Sequence, residues 1–348
     1  MAENYVASGL YAKVDPDWLN RRSEEALEVN LPIIDSHHHL WDRTTSRYLF
    51  DDIVQDLRTG HNIVGTVFVE CKSMYRVDGP DILRPLGEVE FVNGVAAMSA
   101  SGTYGAARIA AGIVGSADLL KGREIRKLLE LQIAAGGGRF RGIRKVSAWD
   151  ADQTVTRTFA DRPRGLLLSQ FFRDGFAELA SLDLSFNAFL FYHQIPELVD
   201  LARAFPDTKI VLDHIGGPIH IGSYASRRAE VFAEWRRLIS ILAECQNVWI
   251  KIGGLGMKLS GFDFHLGSDP PTSGQLAEAW RPYVEVCIEA FGTRRCMFES
   301  NFPPDKGSCS YTTLWNAFKK ISRSFSADEK ADLFYKSASR FYRLSLPS

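Results

Sequence analysis

Positive charge is not in surplus in this chain: 41 Lys and Arg stand against 42 Asp and Glu, a formal net charge of -1. That balance gives no electrostatic case for nucleic-acid binding, and no basic amphipathic segment points to a membrane surface. No apolar run approaches the roughly 20 residues needed to cross a bilayer. The opening stretch MAENYVASGLYAKVDPDWLN lacks the apolar core of a signal peptide. Cysteine is scarce. The five, Cys71, Cys245, Cys287, Cys296 and Cys309, are scattered, odd in number and never spaced C-x-x-C, so they read as reduced cytoplasmic thiols rather than a disulfide framework. There is no internal repeat, no low-complexity tract, no phosphate loop around GIVGSADLL and no nucleophile-elbow spacing in MFESNF. A small molecule is the partner that remains, with association into a homo-oligomer left open.

What the chain does have is apolar content, 45% hydrophobic over 348 residues, enough for a large core. Eight short apolar runs read as strands: 31–35, 63–71, 108–119, 140–147, 184–193, 209–216, 247–254 and 295–302. Most are continuously apolar, as strands covered on both faces are. Helical patterns lie between the later runs. One ends on Gly292, a natural C-cap, and Ser326 with Glu329 spells a capping box. Eight alternations predict an α/β fold, a (β/α)8 TIM barrel over residues 31–348 with a short N-terminal arm, residues 1–30. The alternative, an open doubly wound sheet, would more often show a glycine-rich turn after its first strand.

Barrel chemistry sits where strands end and βα loops begin. The first run ends in Asp35, His37, His38 and His39; the second reaches Glu70; the fourth carries Arg144; the fifth ends at Tyr192 and His193. The sixth ends at Asp213 and His214, the seventh carries Lys251, and the eighth ends in Glu299, Ser300 and Asn301. Five of the eight histidines thus fall at expected strand ends, which argues for one shared site. His37 and His39 are two residues apart and share a face of an extended strand, while His38 points away. Two imidazoles converging from one strand suit a divalent metal such as zinc, with Asp35, on the same parity, able to orient a ligand. The long irregular stretch 258–274 reads as a lid from which His265 could reach the substrate.

The segments IDSHHHLWD, FYHQIPELVDLARAFP, IVLDHIGGP and MFESNFP, in that order, resemble the amidohydrolase superfamily, and its branch of 2-pyrone-4,6-dicarboxylate and sugar lactonases. The resemblance runs from about residue 31 to the end. It implies a distorted barrel, His37, His39 and His193 as metal-site histidines, and His214 in the same pocket. Arg144 falls in a G-I-R motif suited to a substrate carboxylate or carbonyl. Some lactonases of this branch work without metal. One departure matters: where the family usually reads S-D-W-P, this chain reads Ser300-Asn301-Phe302-Pro303. An amide is no base near neutral pH. Glu299 can take that role, with Asn301 holding the water or the carbonyl; Asp305 in the following loop is the other candidate, and a purely structural pairing of Glu299 with Lys251 or Arg144 is the alternative.

These residues suit attack of water on the carbonyl of a lactone or similar cyclic ester. Glu70, Arg144 and Lys251 would grip a small polar or anionic carboxylic compound, and Trp41 and Tyr192 would line the pocket. Activation would come from a divalent metal, zinc first, or without one from the charged side chains. A nonoxidative decarboxylase of an aromatic or muconate-type acid would use a similar histidine set. A ligand-binding relative without turnover is the third reading, supported mainly by Asn301.

Overall fold

All eight expected strands are present and parallel in the computed structural model, which describes residues 9–156 and 162–346. In chain order they are β1 (Pro32–His38), then a small antiparallel hairpin of β2 (Trp41–Arg43) and β3 (Ser46–Tyr48) outside the main sheet, then β4 (Asn62–Val69) and β5 (Arg108–Ser116). There follow β6 (Phe140–Val146), β7 (Ser185–Phe189), β8 (Ile210–Leu212), β9 (Val248–Ile252) and β10 (Cys296–Phe298). The sheet order is β1-β4-β5-β6-β7-β8-β9-β10. Consecutive neighbours throughout exclude a doubly wound sheet, whose strand order reverses. The two ends meet at the mouth, where His39 N–H donates to Phe302 O at 2.8 Å and Asn301 N–H to His37 O at 2.9 Å. The result is a nearly closed (β/α)8 barrel with helices between the strands. Gly292 caps its helix at φ 69°, and Ser326 and Glu329 form the expected capping box. The helix Leu86–Ala100 gave no periodic signal because apolar residues occupy every side of it.

The strands read as continuously apolar because both faces are covered. Ile210 and Leu212 pack outward in the main core, whereas Val211 joins an inner cluster with Ile34, Val67, Val69, Val114 and Met297. The chain's own C-terminal segment completes that inner cluster with Ala338, Phe341, Tyr342 and Leu344. Arg343 pairs with Asp183, just before β7, at 3.3 Å, so this plug enters from the amino end of the barrel. Gly65 is needed for it: a Cβ there would stand 2.9 Å from Leu346 Cδ2. Emptying the plug by Phe341→Ala would cost about 3–5 kcal/mol. With the lower end filled, only the carboxyl end remains open for a ligand.

Strand β1 slips register between Asp35 and His38. A bulge of this kind re-aims the side chains that follow it. His38 therefore faces the neighbouring strand, with Nε2 2.8 Å from Thr66 Oγ1, while His37 and His39 turn to the mouth. Asp35 does not share their face, contrary to simple alternation. It accepts from Tyr311 Oη at 3.0 Å on the helical side and from the backbone N–H groups of Ser300 (2.9 Å) and His37 (3.3 Å). It fixes backbone rather than an imidazole.

Residues 9–31 lie along the loops after β9 and the last helices. Lys258 N–H donates to Leu10 O at 2.7 Å, Trp18 Nε1 to Gly267 O at 2.9 Å, and Ser273 N–H to Glu24 at 2.7 Å. The stretch 258–274 thus anchors the arm, and His265 is not part of the pocket described below.

Two histidines outside the mouth are buried and neutral. His61 lies between Lys319 Nζ (2.8 Å) and Thr312 O (3.3 Å), and His220 Nε2 lies 2.8 Å from Tyr283 Oη. Burial, then the cations Lys319 and Arg228, bring each from 6.5 to about 4. Between pH 6.5 and 4 the unfolded chain takes up protons that the folded chain refuses. The stabilisation is therefore complete above about 6.5 and is lost as pH falls toward 4. Calorimetry should show that Tm of His220→Gln falls less steeply than that of the native chain over this window; parallel curves would refute the assignment.

Candidate active site

Three strand ends deliver the central cluster. From β1, His37 places Nδ1 2.8 Å from Glu299 Oε2 and 3.2 Å from Lys251 Nζ, the latter aligned as a hydrogen bond. Its Nε2 lies 3.2 Å from His39 Nε2 and 3.3 Å from Arg144 Nη1. His39 Nδ1 lies 2.8 Å from Val69 O. A carbonyl only accepts, so Nδ1 of His39 carries the proton and its Nε2 is bare. Burial first, then the cations Lys251 and Arg144 respectively, hold His37 and His39 well below the usual imidazole range.

After β10, Glu299 is fully buried. Its Oε1 accepts from His214 Nδ1 at 2.7 Å and from the His214 backbone N–H at 3.1 Å. Burial alone would raise this carboxyl, but the His214 and His37 rings beside it bring it down to about 2. The turn that carries His214 is strained: His214 and Ile215 have φ of 54° and 51°, a conformation that persists only where surrounding contacts enforce it. Glycine at 254 makes room, since a Cβ there would lie 2.6 Å from His214 Cβ.

Arg144, on β6, is buried and held by Glu70 at the end of β4. Its Nε donates to Glu70 Oε1 at 2.9 Å and its Nη2 to the Glu70 carbonyl. Burial opposes its charge, but Glu70 and Asp213 raise its pKa further. Asn301 donates Nδ2 to Asp305 Oδ1 at 2.8 Å and leaves Oδ1 without a donor. Burial lifts Asp305 to about 7 against the N–H of Gly256.

His39, Trp41, Glu70, Arg144, His214 and Asn301 line one cavity of about 90 Å³ at the mouth, with Leu10, Tyr11, Arg43, Lys72 and Arg162 among its other walls. A water needs roughly 10–15 Å³ on this scale, so the space suits several heavy atoms. Trp41 stacks on His39, ring centres 5.6 Å apart, and on Tyr11 at 6.1 Å. Arg43 lies 3.9 Å over the Trp41 ring and donates to Tyr11 Oη at 3.0 Å. Cys71 borders the cavity, and burial pushes its thiol well above the usual range.

Two expected site residues lie elsewhere, and a third sits beneath the cluster. Strand β7 stops at Phe189 and the chain enters a tight turn, Tyr192–Gln194. Gln194 ties that turn to Ser147 O (2.9 Å) and Trp149 N–H (2.8 Å). His193 is thereby aimed at Asp150, 2.8 Å away, which also accepts from Tyr224 Oη at 2.7 Å. Tyr192 packs beside His193, and neither lines the cavity. Lys251 is fully buried beneath the cluster rather than on the cavity wall. The expected metal set of His37, His39 and His193 therefore does not assemble. Among the described residues, His37, His214 and Glu299 form the buried group able to hold a divalent cation. Glu299 Oε2 and both Asp213 oxygens, all buried and lacking an aligned donor, fit a site that accepts added positive charge. Arg43 and Tyr11 escaped sequence reading. Arg43 follows Trp41 by two residues, so recognising the hairpin would have found it; Tyr11 carries no local signal.

This barrel, with imidazole and carboxylate at its mouth, is that of an amidohydrolase. The amidohydrolase family profile matches residues 34–344, and the chain belongs to that family. It is 35% identical over 341 residues to the uncharacterized protein y4mH of Sinorhizobium fredii, spanning 90% of this chain and 99% of that one. It is 24% identical over 327 residues to L-fucono-1,5-lactonase of Burkholderia multivorans, spanning 90% and 97%. A crystal structure of an amidohydrolase from Burkholderia multivorans with bound zinc shares the fold, with a TM-score of 0.69 at 23% identity over 90% of this chain and 99% of that one. Among the described residues no helix is long and apolar enough to cross a membrane.

The Glu70–Arg144 pair makes a prediction that needs no substrate. Glu70→Leu leaves a buried guanidinium without its main partner and should cost about 3–5 kcal/mol in urea unfolding, whereas the double change to leucine should recover most of it. A single variant as stable as the native chain would show that Asp213 alone neutralises Arg144.

Proposed function

We propose that this protein opens a lactone or similar cyclic ester of a small anionic carboxylic compound by attack of water at the carbonyl. The observation that carries the reading is the Glu299–His214 pair at the wall of a basic cavity. Glu299 accepts from Nδ1 of His214, which leaves the lone pair on Nε2. A water beside that nitrogen passes its proton to the imidazole as its oxygen bonds to the carbonyl carbon. Negative charge then gathers on the carbonyl oxygen, and the guanidinium of Arg144 offers fixed N–H donors for it. The ring C–O bond breaks, and the departing oxygen takes the proton back from His214. This moves the base from Glu299 to His214. A carboxylate held low by the imidazoles beside it is a weak proton acceptor near neutrality, and in this reading its role is to orient the ring and stabilise the imidazolium.

Substrate charge is inferred from the cavity lining, where among the described residues Arg43, Lys72 and Arg162 stand with the Glu70–Arg144 pair. The lactonase from Burkholderia multivorans supports ring opening as the reaction. When bound, a divalent metal, zinc by analogy with the zinc-containing amidohydrolase, would be held by His37, His214 and Glu299 and would supply Lewis acidity.

One experiment separates the metal-dependent and metal-free routes. Chelator-treated protein should still open a lactone from a panel of lactones, esters and aromatic carboxylates. His214→Asn and Glu299→Gln should each lower kcat by roughly 10²–10⁴-fold. Activity lost to chelation and restored by zinc would overturn the proton route. Carbon dioxide release from an aromatic acid, with no lactone turnover, would overturn the hydrolase reading.

A further inference from the structure

We infer that Tyr342, on the C-terminal helix that plugs the barrel from below, is a positioning residue for the site, acting through Asn187 and Lys251 on His37. The chain of contacts is short and wholly buried. Tyr342 Oη donates to Asn187 Oδ1 at 2.5 Å, and the same oxygen accepts from Lys251 Nζ at 3.0 Å. Lys251 Nζ donates to His37 Nδ1 at 3.2 Å and pairs with Asp213 Oδ1 at 3.1 Å. The ammonium also lies 5.5 Å over the Tyr342 ring. Two of its protons thus have aligned acceptors, Asp213 balances its charge, and an aromatic face covers it. None of these residues except His37 belongs to the cluster at the mouth, and neither Tyr342, Asn187 nor Lys251 lines the cavity.

A lysine with no exposure to water is costly unless its charge is employed. Here its place decides which partner His37 Nδ1 faces. Lys251 and Glu299 both lie within reach of that nitrogen, at 3.2 Å and 2.8 Å. An ammonium demands a lone pair on Nδ1; a carboxylate demands a proton. Lys251 thus sets how His37 Nδ1 is shared between the ammonium and Glu299, while His39 Nε2 and Arg144 Nη1 face the opposite nitrogen at 3.2 Å and 3.3 Å. Asn187 keeps the ammonium in line, and Asn187 is itself oriented by two donors. Its Nδ2 has no partner, so only the bonds at Oδ1 stop the amide from turning. Removing the Tyr342 hydroxyl removes one of the two.

The catalytic part of this inference rests on the reading of the site given above; the imidazole part does not. The test is Tyr342→Phe, which keeps the ring and the plug. In protein carrying 13Cε1-labelled histidine, with His37 assigned through His37→Asn, the His37 signal should shift while those of His61, His220 and His265 stay. On any lactone turned over, kcat should fall up to about tenfold, the scale of one buried hydrogen bond, with KM within about twofold. In a Lys251→Met background, Tyr342→Phe should no longer move His37. If Tyr342→Phe does not fold, Asn187→Leu, which leaves the plug untouched, carries the same expectations. An unmoved His37 signal, or a shift that persists without Lys251, overturns the inference. A moved signal in a protein with no lactone activity sustains it and sinks the hydrolase reading.

Discussion

Glu299 is a carboxylate sealed from water, and the site is built around keeping it charged. Two imidazoles flank it, and next to them run Lys251, Asp213, Arg144 and Glu70 in alternating sign. Three carboxylates against two fixed cations leave one negative charge in a space with little solvent. Such a charge is tolerated only when something positive shares the space. A proton on a histidine meets the need, and so does a divalent cation. The general-base step proposed above would place such a positive charge on His214 and remove it again.

The barrel makes this possible by closing one end and wetting the other. The C-terminal plug fills the amino end with Phe341, Tyr342 and Leu344, so the buried charges sit on a dry floor. At the mouth, the arm and the β2–β3 hairpin narrow the opening through Tyr11, Trp41 and Arg43. Arg43 is tied on both sides, to Tyr11 and to Cys71 O at 2.8 Å. That rigidity keeps positive charge at the rim instead of letting it fold down onto Glu70.

Strand positions were legible in the sequence because both faces of each strand are covered, which leaves an unbroken apolar run. The convergence of His37, His39, His214, Glu299 and Arg144 was legible for a related reason: each lies within two residues of a strand's carboxyl end or inside the strand. His193 was misplaced because the apolar run continues through Phe191 and Tyr192 after β7 has ended at Phe189. Apolar character reports burial, and a buried turn looks the same as a strand. The bulge in β1 was invisible too. It leaves composition unchanged and shows only in register, so Asp35 was put on the wrong face. The roles of Tyr342 and Asn187 depend on a contact between residues 155 positions apart, which no local pattern carries.

Asparagine at position 301, where the family resemblance implies an aspartate, fits the same charge ledger. Asp305 hydrogen-bonds to Asn301 and lies close enough to Glu299 for their charges to repel. An aspartate at 301 would add another carboxylate where the cluster already holds an uncompensated one. With asparagine, Nδ2 satisfies Asp305 and Oδ1 is left as a buried neutral acceptor without a donor. On the proposed reading the two side chains differ in kind, a basic nitrogen at His214 and an uncharged oxygen at Asn301. Only the first can take a proton, so the second can hold a donor in place without competing for it.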